Sequence, residues 1–227
     1  MRLLAFDSSG TAISAAAAED GTLLALRQES RIRGHAERLL PLLREAMAES
    51  GWAWPDLDLV AVTNGPGNFT GLRAGIAVAR ALGLALGRPV FGIGTLEVVA
   101  QAAADLLPVA GLPIVAAVDA RRDQVYRQRF TADLQFLDEP MLVPLGDLRG
   151  ESDCTRAGDP TVWALAGAGG RHEVVEAEPL ARYLARSVWR RLERGVVPVV
   201  GMAPKPLYLR PSDARIGAGA SLVAAVP

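Results

Sequence analysis

The stretch of small and apolar residues at positions 70–87 constrains the fold of this chain more than any other segment. It follows a Gly-Pro-Gly turn at positions 65–67, and Asn68 and Thr70 are both suitable helix N-caps. Each interior glycine costs ~1 kcal/mol of helix stability relative to alanine, so close packing must offset the loss. Small residues recur at every fourth position and form one groove with almost no side chains: Gly71, Gly75, Ala79, Gly83 and Gly87.

Large apolar side chains cover most of the remaining circumference of this helix and leave a thin polar seam at Arg73 and Arg80. A helix that is apolar nearly all round needs burial on more than one side. Two interpretations stay open. Either the segment is simply the central helix of an α/β domain, or one side packs on its own sheet and the other on helices of a partner protein.

The composition is that of a globular protein of one large or two small domains, with 227 residues, 50% hydrophobic and 22% charged. Acidic and basic residues nearly balance, at 25 against 24, so contact with nucleic acid would need a local patch or a partner. A single cysteine, Cys154, excludes an internal disulfide. We see no secretory leader, and we expect the apolar run interrupted by Arg80 to be too short to span a bilayer. These features predict a soluble cytoplasmic protein.

Strands and helices alternate in the first part of the chain, which predicts a mixed sheet flanked by helices. Pro41 lies inside a predicted helix and should kink it. The predicted strands are Arg2 to Asp7, Ala12 to Ala18, Thr22 to Glu29, Leu57 to Thr63 and Pro89 to Ile93, and the helices are His35 to Ser50, Thr70 to Leu86 and Leu96 to Ala104.

A proline- and glycine-containing segment at 106–113 indicates a boundary between residues 1–105 and 106–227. The two parts begin alike, with an apolar strand, an aspartate, a turn and a returning strand, as a duplicated fold would. In the second part we predict strands Ile114 to Asp119, Gln124 to Phe130, Gln135 to Val143 and Val162 to Ala166, and an amphipathic helix Pro179 to Arg194 whose arginine face is solvated; the tail from Gly217 receives no assignment.

Aspartates end the first strand of each part, and such positions can hold metal and phosphate. The candidate residues for a vestigial or composite nucleotide site are Asp7, Ser9, Gly10 and Asp119. A bound phosphate needs backbone N–H groups that glycine leaves accessible. The second turn, DARRDQVY, contains no glycine. The turn GPGNFTG also lacks the lysine and hydroxyl of a Walker A loop. The sequence therefore does not predict a working phosphate clamp.

Other catalytic sets are not visible in the sequence. The two histidines, His35 and His172, have no metal-ligand spacing, and no G-x-S-x-G nucleophile motif occurs. Cys154 has no reactive signature around it and is predicted to be an inert thiol. We therefore predict no catalytic residue and no metal site in this chain.

The residues nevertheless resemble those of a known family. The segments LLAFDSSGTAISAA, GHAERLLPLL, GPGNFTGLRAGIAVARALGLALGRPVFGIGTLE, VDARRDQVY and the late PLYLR are similar to the TsaB (YeaZ) family, bacterial partners of TsaD. The resemblance covers most of residues 1–130 and resumes at 206–210. It implies an actin-like ATPase (ASKHA) α/β fold with two lobes, each with a mixed sheet flanked by helices, and a second lobe, 106–227, that is degenerate.

The resemblance further implies a non-catalytic subunit required with TsaD for threonylcarbamoylation of the adenosine beside the anticodon of tRNAs. The related catalytic chain carries a His-x-x-x-His pair where this chain has Thr95 and Val99. The implied contact with TsaD uses two helices of the first lobe packed into a bundle, His35 to Ser50 and Thr70 to Leu86. Its predicted residues are His35, Leu39, Leu42, Leu43, Ala46, Leu72, Gly75, Ile76, Ala79, Leu82 and Gly83. We expect Gly75→Leu or Ala79→Arg to leave a folded chain that no longer binds TsaD.

The implied partners are TsaD in a heterodimer, TsaE in a larger complex and a second copy when the chain is alone, with tRNA reached only indirectly and no membrane involved. No cofactor is expected in the isolated chain, with ATP or ADP expected at most at the joint with TsaD. An active ATPase or small-molecule kinase on the same fold is the alternative, motivated by Asp7, Gly10 and Asp119. A peptidase is a third class that no residue supports.

Overall fold

The computed structural model describes residues 1–30, 34–107, 111–167, 174–175 and 180–210. The predicted tail from Gly217, His172 and the side chain of His35 lie outside the described residues. The strands are β1 Arg2–Asp7, β2 Ala12–Glu19, β3 Thr22–Ser30, β4 Leu59–Thr63, β5 Val90–Ile93, β6 Ile114–Asp119, β7 Gln124–Phe130, β8 Met141–Pro144, β9 Thr155–Gly158 and β10 Val174–Val175. The helices are α1 His35–Ser50, α2 Phe69–Leu86, α3 Thr95–Leu106, α4 Pro160–Leu165 and α5 Leu180–Glu193.

The first sheet is mixed and has the order β3-β2-β1-β4-β5. Strands β1, β2 and β3 are antiparallel neighbours, while β4 and β5 extend the sheet in parallel from β1. Successive side chains of β1 point to opposite faces, so Leu4 and Phe6 lie against α1 and α2, whereas Leu3 and Ala5 lie in the core on the other face. Burial on both faces explains why β1 is an uninterrupted apolar run.

The second sheet repeats this arrangement with the order β10-β9-β6-β7-β8. Strands β6 and β7 are antiparallel, as are β7 and β8, and β9 and β10 run parallel to β6. The similarity that the sequence predicts between LLAFD and IVAAVD is therefore a similarity of place, because β1 and β6 are each the middle strand of a five-stranded sheet.

Helices α3 and α5 lie in the core that joins the two sheets. Helix α3 packs on β6 and β9, while α5 packs on β1 and β2, and the backbone N–H of Ala181 donates to Ser14 Oγ at 3.0 Å. The two helices also pack on each other, where the buried carboxylate of Glu97 binds Arg190 and Arg191. The second part of the chain thus returns a helix to the first sheet.

The structure corrects three expectations about single elements. Residues 160–165 form a helix rather than the predicted strand at Val162 to Ala166, because Asp159 accepts from the N–H of Thr161 as an N-cap and Pro160 occupies the first turn. Strand β8 begins only at Met141, because the start of the predicted strand forms an isolated bridge from Phe136 to Phe130 instead of a ladder. Strand β9 lies in a segment that the sequence analysis leaves without structure.

Candidate functional site

The Gly-Pro-Gly turn anchors the start of α2 against the loop that follows β1. The N–H of Asn68 donates to the carbonyl of Ser9 at 2.7 Å, and a Cβ on Gly67 would overlap that same carbonyl. The side chain of Asn68 then accepts from the N–H groups of Thr70 and Gly71, each at 3.1 Å. Asn68, rather than Thr70, is therefore the N-cap of α2. The position of α2 also depends on Gly67, which lets the turn approach the loop after β1 closely.

The glycine groove of α2 faces the chain's own sheet, which corrects the prediction that Gly75, Ala79 and Gly83 contact a partner. A Cβ on Gly75 would overlap the hydroxyl of Ser8, and a Cβ on Gly83 would overlap Val90 on β5. Ser8 Oγ also donates to the carbonyl of Gly71 at 2.8 Å. The sequence predicts that Gly75→Leu and Ala79→Arg leave the chain folded. Both positions are buried, so these substitutions would instead insert large side chains into the core.

Most of the other predicted interface residues also lie inside the first lobe. Leu82 is half-buried beside α1, and the side chain of His35 is not described. The buried members are Leu39, Leu42, Leu43 and Ala46 of α1 and Leu72, Ile76 and Gly83 of α2. These residues hold the two helices on the sheet and are not exposed for contact with another protein.

A second row of small residues points outward from α2, on the side opposite the glycine groove. Its most exposed large member is Leu84, with 87% of its surface accessible. Val78 and Leu82 border the row where α1 packs, and on α1 the side chain of Leu40 is exposed. The remaining exposed or half-buried members of the row are Thr70, Ala74, Ala77, Ala81 and Ala85. We call Ala77, Ala81, Leu84 and Ala85 the outer face of α2; it is apolar and could admit another helix closely.

The loop after β1, which holds three of the four predicted nucleotide residues, is bound within the chain. The buried carboxylate of Asp7 accepts from the N–H and hydroxyl of Ser9, at 3.1 and 2.6 Å, and from the hydroxyl of Thr63. Gly10 is open, with no atom within 4 Å of a Cβ placed there. The hydroxyls of Ser8 and Ser9 and the N–H of Ser9 are therefore engaged within the chain.

The fourth predicted residue, Asp119, is exposed and caps its own turn. It accepts from the N–H of Arg121 at 2.7 Å and pairs with the guanidinium of the same residue at 3.1 Å. Arg121, Arg122 and Asp123 all have positive φ, between 54° and 63°, so three bulky residues hold a turn where a phosphate-binding loop would have glycine. The turn therefore offers arginine side chains rather than a backbone cradle.

The two positions at which the family resemblance implies histidines in the catalytic chains lie in the core. Thr95 and Val99 are buried at the start of α3. Within residues 1–30, 34–107, 111–167, 174–175 and 180–210, no cluster of three His, Cys, Asp or Glu residues could hold a metal ion. Burial raises the pKa of Cys154 to about 11, so its thiol is neutral near pH 7.

The structure also reveals a feature that the sequence analysis missed, an extended segment at residues 203–210 that we call the strap. It runs beside α2, where Arg80 Nε donates to the carbonyl of Pro204 at 3.1 Å and Arg73 Nε donates to Tyr208 Oη at 2.9 Å. Its far end, Arg210, donates to Gln124 Oε1 at 2.7 Å in the second lobe. The only signals of it in the sequence are the polar seam on α2 and the PLYLR motif.

Comparison with known proteins defines first the class of the fold. A glucomannokinase from Arthrobacter sp. strain KM superposes with a TM-score of 0.52 at 13% identity, over 84% of this chain and 99% of that one. A solved structure named YeaZ from Pseudomonas aeruginosa superposes with a TM-score of 0.74 at 30% identity, over 92% of this chain and 99% of that one. Two mixed sheets with this packing make the protein a two-lobed α/β protein of the actin-like fold.

The sequence comparisons then give the family. The profile described as "TsaD: tRNA N6-adenosine threonylcarbamoyltransferase" matches residues 23–144. The tRNA threonylcarbamoyladenosine biosynthesis protein TsaB of Escherichia coli is 37% identical over 133 residues, which are 59% of this chain and 56% of that protein. The chain belongs to the TsaB (YeaZ) family, as the motifs around α2 indicate.

Helix α2 is long and apolar enough, by length and composition, to cross a membrane, which differs from the expectation that this run is too short. It is the one such helix among the described residues. Core helices of soluble proteins meet the same criterion, so this is a weak indication. The glycine groove is covered by Ser8 and Val90, and a lipid could reach only the outer face.

Proposed function

We propose that this chain is a non-catalytic cytoplasmic subunit that acts with a TsaD-type transferase in making threonylcarbamoyladenosine beside the anticodon of tRNAs. The names of its relatives support the pathway. Thr95 and Val99, where the related catalytic chains have histidines, support a role without chemistry of its own. The proposed assembly is a heterodimer with the TsaD-type chain, a larger complex with TsaE, and a homodimer when the chain is alone.

The single observation that carries the proposal is the outer face of α2. A contiguous apolar row at the surface is typical of an interaction site, because its small residues let a second helix approach closely and bury the leucine. The face lies beside α1, so a partner would meet two helices at once. The residues that the sequence predicts as contacts, most of which are buried, then have a supporting role, because they fix the orientation of this face on the sheet.

The test compares two exposed leucines in different lobes. Leu84→Arg places a charge on the outer face of α2, while Leu165→Arg does the same at an exposed position, 69% accessible, at the end of α4. We expect Leu84→Arg to keep the thermal unfolding of the wild type yet to abolish co-purification with the TsaD-type chain and tRNA modification by the reconstituted complex. Leu165→Arg should retain both. Co-purification that survives Leu84→Arg would contradict this interface.

The alternative function, an ATPase or small-molecule kinase, would require the Asp7 loop to bind phosphate. Its hydroxyls and the N–H of Ser9 are engaged within the chain, so we do not extend the proposal to it. A nucleotide held jointly with the TsaD-type chain stays a prediction. ATP turnover by the isolated chain that Asp7→Ala abolishes would favour the alternative.

A further inference from the structure

Two aromatic rings and an arginine form a preassembled stack at the start of α2, where the strap passes. The rings of Phe69 and Tyr208 lie 5.2 Å apart, and the guanidinium of Arg73 lies 3.6 Å from the centre of the Phe69 ring. Arg73 also binds Tyr208 through its Nε, which fixes the order of the three groups. Phe69 and Tyr208 remain 45% and 43% accessible, so the stack is open to a ligand.

Further positive charges lie along the strap. Arg73, Arg80 and Arg210 donate to a hydroxyl, a carbonyl and an amide oxygen, which are neutral acceptors. Among the described residues, the ion pairs found do not include any of the three. Lys205 of the strap is exposed as well. Among the described residues, these cations are therefore not neutralised by carboxylates. Arg190, in contrast, is paired with Glu97.

The chain as a whole has a formal net charge of −1, so this surface is the local basic patch that contact with nucleic acid requires. Basic side chains that follow a backbone, combined with exposed aromatic rings on which bases stack, are the features of proteins that bind single strands. A protein partner would instead favour the neighbouring outer face of α2, which is apolar and lacks these charges. The chemistry at the strap fits phosphates and a planar base better.

We propose that Phe69, Arg73 and Tyr208, with Lys205 and Arg210, form a binding surface for single-stranded RNA, the stack receiving a base and the cations the flanking phosphates. The choice of RNA rests on the proposed function in tRNA modification. The surface goes beyond that function because it gives this subunit a direct contact, whereas the family resemblance implies that tRNA is reached only indirectly.

The experiment measures RNA affinity of the full-length chain in complex with the TsaD-type chain, using a fluorescent oligouridylate and an anticodon stem-loop as probes. We expect Tyr208→Ala to weaken binding of both by roughly five- to hundredfold, because a base can no longer stack on that ring. Arg73→Gln should reduce the dependence of log K on log salt by about 0.7 for each phosphate that the variant no longer neutralises. Tyr208→Phe keeps the ring and should retain most of the affinity.

The matched control is Phe136→Ala, which removes an exposed ring, 57% accessible, from the second lobe and should leave RNA affinity unchanged. Equal affinities for wild type and Tyr208→Ala would overturn the inference. Loss of the complex itself in Tyr208→Ala, with RNA affinity of the remaining complex unchanged, would assign the surface to a protein partner instead. Failure of the proposed function is seen separately, as tRNA modification that does not need this chain at all.

Discussion

Gly75 illustrates how one missing methyl group positions a whole helix. Its Cα faces the hydroxyl of Ser8, and that hydroxyl is held by its bond to the carbonyl of Gly71. Alanine has the higher helix propensity, so on local grounds a Gly→Ala substitution here should stabilise the protein by ~1 kcal/mol. The close approach of helix and sheet instead determines whether the substitution stabilises or destabilises the protein.

We predict that Gly75→Ala destabilises the protein by about 1–3 kcal/mol, because the new methyl group overlaps Ser8 Oγ and forces either the bond or the helix to move. Denaturant unfolding measures the change. In a Ser8→Ala background the same substitution should cost much less, since the next atom, Val62 Cγ2, lies 3.4 Å away. Equal costs in both backgrounds would show that Ser8 is not the obstacle.

Between the two lobes, α3 and α5 are joined by charge as well as by apolar packing. Glu97 is buried and binds Arg190 Nη2 and Arg191 Nε, each at 3.0 Å. Burial lowers the pKa of Arg190, while Glu97 opposes that shift, so the carboxylate offsets the desolvation of the guanidinium. The pairing fixes the register of the two helices that connect the sheets.

We predict that Glu97→Ala lowers the free energy of unfolding by about 3–5 kcal/mol, since it leaves two half-buried arginines without their carboxylate. Glu45→Ala is the control, because Glu45 pairs with Arg38 at the surface and its removal should cost about 0–1 kcal/mol. Both values come from the same urea titration. Similar costs for the two variants would mean that the α3 and α5 pair is solvated in solution.

At the scale of the whole molecule, the strap links the two lobes. Leu207 N–H donates to the carbonyl of Asn64 at 2.7 Å in the first lobe, and Arg210 reaches the carbonyl of Arg121 at 3.2 Å in the second. Two glycines admit the strap: a Cβ on Gly65 would lie 2.8 Å from the carbonyl of Leu207, and one on Gly92 would lie 2.6 Å from Pro204 Cβ.

We predict that Gly92→Ala loosens the strap, because the added methyl group meets Pro204 and the side chain of Asn64. Hydrogen exchange of the Leu207 amide should become about tenfold faster or more, while exchange in β6 stays unchanged. Gly94→Ala is the matched control, since the nearest atom to a Cβ there is 3.7 Å away. Unchanged exchange at Leu207 in Gly92→Ala would contradict this attachment.

The parts of this fold that depend on local pattern are predictable from the sequence. Alternating and continuous apolar runs gave the bounds of β1, β6, β7 and α1 as the structure has them, and the small-residue period marked α2 as closely packed. It also showed the absence of a histidine pair at Thr95 and Val99. The prediction was wrong for a short element, the helix Pro160–Leu165, because this helix depends on the N-cap Asp159, whose effect a propensity pattern does not reveal.

Long-range packing in the folded chain sets which side of α2 faces the sheet and which side faces solvent. A glycine row and an alanine row on one helix are equally able to receive a backbone, and the sequence cannot say which of them meets Ser8 and Val90 and which is left at the surface. The strap is a second case, since Arg73 and Tyr208 are 135 positions apart in sequence and become neighbours only when the chain end returns along α2. Both outcomes depend on long-range packing, which local sequence periodicity does not encode.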